Sequence, residues 1–354
     1  MLYPLLFYPI LKEKIWGGRR LGELFNRDLL GDRVGESWDV ACHENGTSLV
    51  ANGSHKGKSL EDLIEEYGRG LLGNSLEQRD IDKFPLLIKI LDARDVLSVQ
   101  VHPGDEYAAF HEDGELGKTE MWYVLDAEPG SYLYYGVKPG IGANEFKEAL
   151  EKGDVEPYLC RMAVQQGDVL YMPSGMVHAI GSGILICEIQ QNSDTTYRVF
   201  DWNRLGDDGS FRELHIEKAL DVIDFEGRHS REKVKGIEVK YEGFSRTYLV
   251  ACPYFASEKL DLEDRMTDKA NGDKFFILTI IEGQGDIVYK DGSQKFQVGN
   301  SVMIPANLGD YSIVGNCKII KTYIPDRNKD ITEVLKKEGF SIEDMKCIAG
   351  LFDE

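Results

Sequence analysis

The chain of 354 residues lacks most features of secreted and membrane proteins. No apolar run approaches the length of a membrane span. The start, MLYPLLFYPILKEKIWGG, is broken by prolines and lysines, unlike a signal peptide. The scattered cysteines form no CxxC pair, which disfavours a disulfide scaffold and favours reduced thiols. They are Cys42, Cys160, Cys187, Cys252, Cys317 and Cys347. We therefore expect a soluble, cytoplasmic protein.

Basic charge is also scarce in this sequence. It has 41 lysines and arginines against 61 aspartates and glutamates, which gives a formal net charge of −20. A field of that sign repels DNA, RNA and anionic membrane surfaces, so we expect none of them as a partner. A phosphorylated ligand would need a local cluster of basic side chains.

What the sequence does contain is a series of short apolar runs separated by Gly, Pro, Asp and Asn. Examples are FPLLIKIL, VLSVQVH, EMWYVLD, SYLYYGV, GILICEIQ and FFILTIIEG. This pattern predicts a mainly β fold of sandwich or barrel type. Three helical patches lie between the runs, in SLEDLIEEYGRGLL, ANEFKEALEKG and RELHIEKALDVI. Ser59 and Asn144 are the predicted N-caps of the first two helices.

One motif recurs in the two halves of the chain. GDVLYMPSGMVH spans residues 167–178 and GNSVMIPANLGD spans 299–310, with Gly and Pro at the same spacing. Gly175 corresponds to Asn307 and His178 to Asp310, so only the first copy keeps the histidine. We predict two similar β-barrels, with the site in the first. The polar stretch RHSREKVKG suggests domains at 1–235 and 236–326, followed by a helical tail at 327–354.

Alternation along the predicted strands places several polar side chains inside the first barrel. In LSVQVH, Gln100 and His102 share one face with Ser98, and the two valines share the other. Glu120, on what we expect to be an adjacent strand, and His178 after the Pro-Gly turn complete a set of four. Mixed nitrogen and oxygen ligands suit zinc, or another divalent first-row metal, better than calcium.

Taken singly, these residues have simpler interpretations. A histidine on an apolar strand is usually a core residue with a satisfied hydrogen bond, and Gln100 could cap a backbone group. The four together favour the metal. The other histidines have no matching partners, and we expect them at the surface. They are His43, His55, His111, His215 and His229.

Several charged residues fall within or beside apolar runs. Lys89 lies in FPLLIKIL, where an ammonium group is costly unless it is paired, functional or able to extend to the surface. Lys118 is expected on the face of Glu120. Glu188 lies in ILICEI and should be paired, ligated or involved in chemistry. Asp194 and Arg198 follow it, and they could instead form a structural salt bridge.

These segments resemble the type I phosphomannose isomerases of the short bacterial subgroup, a family of the cupin superfamily. LIKILDARDVLSVQVHP, GKTEMWYVL, GDVLYMPSGMVHAIGSG and SDTTYRVFDW occur in the expected order, and the resemblance covers residues 3 to 325. QVHP followed by KTE is its specific part. The C-terminal tail departs from the pattern. The resemblance implies two cupin-type, jelly-roll-like barrels with short helical segments.

The resemblance also implies a function and the residues that carry it. One zinc per subunit would be held by Gln100, His102, Glu120 and His178. The other active-site residues would be Lys89, Lys118, Glu188, Asp194 and Arg198. The substrate would be a sugar phosphate, interconverted between mannose 6-phosphate and fructose 6-phosphate through an enediolate by a monomer or homodimer.

The group that moves the proton stays open among three residues. Glu188 comes first because burial would raise its pKa, followed by Lys118, whose pKa a nearby cation would lower, and by Asp194. Other functions also stay open. The chain could be a cupin that senses or stores a sugar, a cupin dioxygenase, or a different sugar-phosphate isomerase. Lys118 and Arg198 favour an enzyme, and the ligand set suits an oxygenase less well.

Overall fold

The computed structural model describes residues 1–29, 31–206 and 209–353. These residues form two compact units that are interleaved in sequence. The central unit comprises residues 11–37 and 89–233, and the flanking unit comprises residues 1–10, 38–88 and 234–354. The contiguous domains predicted at 1–235, 236–326 and 327–354 differ from this division, because long-range strand pairing leaves no local trace in the sequence.

The central unit is built on two β-sheets. The five-stranded sheet has the order Leu159–Ala163, Tyr132–Val137, His178–Ile180, Val99–Val101 and Tyr197–Phe200. The six-stranded sheet has the order Val169–Met172, Glu120–Ala127, Ile184–Gln191, Leu86–Ala93, Ile10–Gly18 and Val34–Val40. One apolar core joins Leu133 and Ile180 of the first sheet to Val124 and Ile186 of the second. The two sheets therefore face each other.

The flanking unit contains a ten-stranded sheet. Its main path runs Ile237–Tyr241, Phe244–Ala251, Ala256–Leu262, Gly309–Tyr323, Phe276–Tyr289, Ser301–Ile304, Leu5–Tyr8 and Leu49–Val50. Arg265–Ala270 pairs with the Gly309–Tyr323 strand, and Gly292–Gln297 pairs with the Phe276–Tyr289 strand. A two-stranded ribbon joins Cys42–His43 to Gly46–Thr47. Together with the central unit, these sheets confirm the mainly β prediction.

Short helices connect the strands in both units. The α-helices are Arg20–Phe25, Leu60–Tyr67, Arg69–Leu72, Gln78–Asp82, Asp105–His111, Ala143–Lys152, Ile216–Val222, Glu333–Lys337 and Ile342–Met345. Single 3₁₀ turns occur at Gly53–His55 and Glu156–Tyr158, and a π-helical turn at Arg327–Thr332. No helix within the described residues combines the length and apolarity needed to cross a membrane.

The two predicted helix caps have different outcomes. Ser59 accepts a hydrogen bond from the Asp62 amide and closes a reciprocal capping box, as predicted. The helix beyond it is interrupted at Gly68, whose φ of +48° suits glycine. The prediction for Asn144 was wrong, because the N-cap is Gly142, two residues earlier, and Asn144 lies in the first turn of the helix.

The tail packs into the flanking unit. Ile331, Leu335, Met345 and Ile348 belong to the same apolar core as the strands, so residues 327–354 are an integral part of that unit. The cysteines are free thiols, and Cys187, Cys252 and Cys317 are buried.

Two of the five histidines expected at the surface are buried. His43 lies edge-on to the Trp38 ring, with 6.0 Å between ring centroids, and His55 stacks on Tyr3 at 5.4 Å. The surface prediction was wrong for both, because packing against an aromatic ring does not follow from the local polarity of either segment.

Candidate metal centre

Strand register in the five-stranded sheet brings three of the predicted residues into one row. Gln100 is paired directly with His178 on one side and with Arg198 on the other. Directly paired residues project from the same face of a sheet, so all three side chains share the face of Gln100. His102 follows at the end of the strand and is buried.

Glu120 approaches the same place from the six-stranded sheet. It begins the Glu120–Ala127 strand, is fully buried, and lies near both histidines. We expected Glu120 on a strand adjacent to that of Gln100. That expectation was wrong, because the two strands belong to different sheets. The ligand set therefore closes across the interior between facing sheets.

The turn before His178 depends on Gly175. Its φ is +84°, a left-handed conformation that glycine adopts without strain. A Cβ atom there would also lie 2.8 Å from the Val222 carbonyl oxygen. The Gly175 amide donates to the His102 carbonyl at 2.9 Å, so this turn holds the two histidine segments together.

The hydrogen bonds of the two imidazoles define their tautomers. His102 Nδ1 lies 2.9 Å from the Thr195 carbonyl oxygen, and His178 Nδ1 lies 2.8 Å from the Met176 carbonyl oxygen. Since a carbonyl only accepts, each Nδ1 carries a proton. In the neutral rings, each Nε2 is left with a lone pair. A second partner that fixes the tautomer in this way is typical of metal-binding histidines.

Those lone pairs point toward another acceptor. His102 Nε2 lies 3.3 Å from Glu120 Oε1, and His178 Nε2 lies 3.8 Å from Glu120 Oε2. Burial, followed by the charge of Lys118, lowers the pKa of His102 to about 3, and burial also lowers the pKa of His178. Both rings are thus neutral at pH 7. Acceptors that face each other without a proton between them repel, unless a cation lies there.

The donor atoms of His102, Glu120 and His178 are arranged as ligands of a metal ion would be. One donor atom from each of His102, Glu120 and His178 lies within 4.8 Å of the others. Among the described residues, His102 Nε2 finds no hydrogen-bond partner despite its burial. Gln100 is a potential fourth ligand, with its amide nitrogen 3.3 Å from His178 Nε2. Ligation by Gln100 requires the opposite amide orientation, which presents the oxygen.

Lys118 forms an ion pair with the carboxylate of Glu120. Its Nζ lies 2.9 Å from Glu120 Oε1, and the ammonium group is buried. Burial favours the neutral amine, but Glu120 and Glu188 outweigh it and raise the pKa of Lys118. The lowering that we expected from a nearby cation stays a prediction, because these side chains act on Lys118 without a metal ion. Burial would also raise the pKa of Glu120, yet the charge of Lys118 holds it well below its usual range.

Glu188 forms a second charged pair beside the first. Its Oε1 lies 3.3 Å from Lys89 Nζ, and both side chains are buried. Lys89 is only 3% exposed, so it is paired rather than extended to the surface. Burial, followed by the charge of Glu120, raises the pKa of Glu188. The raised pKa expected for Glu188 is confirmed.

Of the two remaining predicted residues, Asp194 acts on this cluster, whereas the charges that act on Arg198 come from residues outside it. Arg198 Nη1 donates to the Glu213 carbonyl at 2.8 Å, and the guanidinium is half-buried. Asp194 acts electrostatically on Lys118 and on Lys12.

Sequence analysis missed two charged residues here. Lys12 is influenced by Asp194, Glu36 and Lys89, and Glu36 also acts on Glu188. Both lie in segments that we recognised, YPILKEKIWGG and GESWDVA, but assigned no chemistry. A lysine within an otherwise strand-like run was the available signal.

Two family models match the chain. The model described as "Phosphomannose isomerase type I, catalytic domain" matches residues 5–143, and "Mannose-6-phosphate isomerase, cupin domain" matches 245–324. The chain is 41% identical over 321 residues to the mannose-6-phosphate isomerase ManA of Bacillus subtilis. That match covers 91% of this chain and 99% of the relative. The chain belongs to the type I phosphomannose isomerase family.

Other relatives agree with this membership. The mannose-6-phosphate isomerase of Streptococcus mutans is 38% identical, over 91% of this chain and 99% of its own length. The crystal structure of the Bacillus subtilis mannose 6-phosphate isomerase superposes with a TM-score of 0.84 at 37% identity, over 91% of this chain and 99% of that one. The family resemblance and the cupin fold expected from sequence are therefore confirmed.

Proposed function

We propose that the protein is a metal-dependent isomerase that interconverts mannose 6-phosphate and fructose 6-phosphate. One observation carries the proposal. Two neutral, buried imidazoles present lone pairs to a buried carboxylate, with two lysines and a second carboxylate beside them. The relatives named as mannose-6-phosphate isomerases are matched over nearly their whole length, which supports the same substrate pair for this chain.

In this proposal Gln100, His102, Glu120 and His178 hold the ion. Zinc, or another divalent first-row metal, suits two imidazoles with two oxygen donors. When bound, such an ion acts as a Lewis acid toward the oxygens of the sugar. Lys118 stays charged through its contact with Glu120 and adds a fixed positive charge beside the ligands.

The isomerisation requires a proton to move between neighbouring carbons. We assign this transfer to Glu188, because burial raises its pKa above that of an ordinary carboxyl and so makes it a better base. Glu188 takes the proton from C2 of the aldose and returns it to C1, while the hydroxyl proton passes from O2 to O1. Lys89 contacts Glu188 Oε1 and restricts the orientation of the carboxylate.

Two further residues complete the assignment. Arg198 shares a face with Gln100 and His178, so we place its guanidinium where negative charge develops on the substrate oxygens. Asp194 favours the charged form of Lys118 and supports it electrostatically. We rank Asp194 below Glu188 as the proton-transferring group.

A coupled assay with mannose 6-phosphate tests the proposed activity. We expect turnover that disappears on chelation and returns with zinc. Glu188→Gln should abolish solvent proton exchange at the substrate carbon while metal content stays normal. Glu145→Gln, at an exposed helical position, is the matched control. Undiminished exchange in Glu188→Gln would remove Glu188 from its assigned role, and turnover unaffected by chelation would remove the metal.

The oligomeric state, monomer or homodimer, and the cytoplasmic location also belong to this proposal. Sedimentation of the purified protein and fractionation of its native cells test them.

A further inference from the structure

We infer that Trp122 is a positioning residue that joins the proposed metal ligand Glu120 to the proposed proton-transferring group Glu188. The inference rests on the proposed function of those two carboxylates. Trp122 Nε1 lies 3.1 Å from Glu120 Oε2 and 3.0 Å from Glu188 Oε2. One indole N–H therefore serves two buried carboxylates.

The backbone makes this shared contact possible. Alternation along the strand puts Trp122 on the same face as Glu120, two residues earlier. Trp122 is also paired directly with Glu188 on the neighbouring strand. The indole thus reaches one carboxylate along its own strand and the other across the sheet, and the sheet hydrogen bonds fix both separations.

The chemistry of the indole suits this position. An indole N–H only donates, so it favours ionised oxygens and cannot compete with the histidines as a ligand. Trp122 is fully buried, and its ring lies edge-on to His178 at 5.2 Å. Lys118 and Lys89 contact the other oxygens, Glu120 Oε1 and Glu188 Oε1. Each carboxylate is therefore held at both oxygens, which limits its rotation.

This arrangement predicts an effect of Trp122 on metal affinity and on turnover. Removing a partner that orients a metal ligand typically lowers metal affinity by about 10- to 100-fold. We expect Trp122→Phe, which keeps an aromatic ring but loses the N–H, to raise the zinc Kd of the metal-free protein by that factor. We also expect kcat to fall with little change in KM, because the indole positions residues rather than substrate.

Trp202→Phe is the matched control in the same unit. Its Nε1 donates to the Leu97 carbonyl at 2.7 Å, so it also loses one indole hydrogen bond, but to a backbone oxygen. We expect a zinc Kd within threefold of wild type for this variant. The affinities are measured by competition with a chromophoric chelator, after circular dichroism has established that each variant is folded.

A spectroscopic measurement on the intact protein keeps the inference testable if Trp122→Phe does not fold. Of the four indole ¹⁵N–¹H resonances, the one from Trp122 should shift on addition of zinc and again in Glu188→Gln. Selective ¹⁵N labelling, with an isosteric benzothienylalanine at position 122, assigns the signal. A signal that responds to neither change would overturn the inference.

The proposed metal site and the proposed role of Trp122 can be tested separately. If Glu120→Gln binds zinc like wild type, the proposed metal site itself is wrong. If Glu120→Gln loses zinc while Trp122→Phe folds, retains wild-type zinc affinity and keeps its kcat, only the role of Trp122 is wrong.

Discussion

The interiors of the two units hold similar charged side chains in different arrangements. In the central unit, His102 and His178 present acceptors to the carboxylate of Glu120. In the flanking unit, the carboxylates of Glu258 and Asp268 face a hydroxyl and an ammonium group. Glu258 accepts from Tyr323 at 2.5 Å, and Lys321 Nζ lies 2.5 Å from Asp268 Oδ2. The flanking carboxylates therefore face donors, whereas in the central unit the lone pair of His102 Nε2 faces a carboxylate oxygen, where we propose a bound cation.

The repeated turn shows where the two units diverged in chemistry. His178 is 1% exposed and points inward, but Asp310 at the same motif position has a side chain that is 77% exposed. Asp310 lies 3.3 Å from Lys269 and has no part in the buried cluster. The central unit thus holds the proposed reactive site, and the flanking unit holds a structural ion cluster.

The largest expected effect comes from substituting the residue at the motif position that the two repeated turns share. His178→Asn should lower kcat/KM by about 10³-fold. The loss of a metal ligand removes several kcal/mol of the transition-state stabilisation that the ion supplies. Asp310→Asn should leave both activity and zinc content unchanged. Steady-state assays and metal analysis of the two variants check this. Equal losses of kcat/KM and zinc in both variants would contradict the proposed difference between the two units.

A stability measurement probes the flanking cluster. Glu258→Ala should lower the free energy of unfolding by about 3 kcal/mol, because it leaves Arg246, 3.5 Å away, without its partner. Urea titration, with zinc affinity measured in parallel, provides the test. The exposed pair of Glu238 and Lys240, 3.9 Å apart, supplies the control, and Glu238→Ala should cost less than about 1 kcal/mol. A similar cost for both variants would contradict the structural role.

The ion pair of Asp268 and Lys321 in the flanking unit should make the stability of the protein depend on pH. Burial opposes ionisation of Asp268, but Lys321 outweighs it and lowers the pKa of Asp268. Its folded pKa is then below the unfolded value of about 3.9, so it stabilises the protein above that pH. This contribution is lost as the pH falls through the folded pKa. Asp268→Asn should therefore flatten the stability curve below about pH 4, and an unchanged slope would contradict the assignment.

The smallest expected effect is the difference in stability between substitutions at the two predicted helix caps. Ser59→Ala should lower the free energy of unfolding by about 1 kcal/mol, because it removes a capping hydrogen bond. Asn144 lies inside the helix that begins at Ala143, so Asn144→Ala should be neutral or slightly stabilising. Thermal denaturation of both variants makes the comparison. A clear loss for Asn144→Ala would mean that its side chain has a capping role after all.

Local patterns accounted for much of the fold but not for its division into units. Alternating runs and turn residues predicted the strands, since both signals act within a few residues. The pairing of Leu5 with Met303 joins the first strand to one near the other end of the chain. No periodicity in either segment records that contact. The same reason explains the buried His55, which stacks on the distant Tyr3.

The candidate site was predictable to the extent that it follows strand alternation and a repeated motif. Gln100 and His102 were grouped by alternation, and His178 by its motif. The raised pKa of Lys118 was not predictable, because alternation could not reveal that Glu120 and Glu188 both act on its ammonium group. Alternation puts Trp122 on the face of Glu120, but its contact with Glu188 depends on strand register, which a single sequence does not determine.

Anomalous diffraction at the zinc edge, from crystals grown with zinc, is the most direct test of the central claim. The account predicts one peak per chain, bonded at about 2.0–2.2 Å to Gln100, His102, Glu120 and His178. It predicts none near Glu258 and Asp268. A peak with other ligands, or none at saturating zinc, would contradict it.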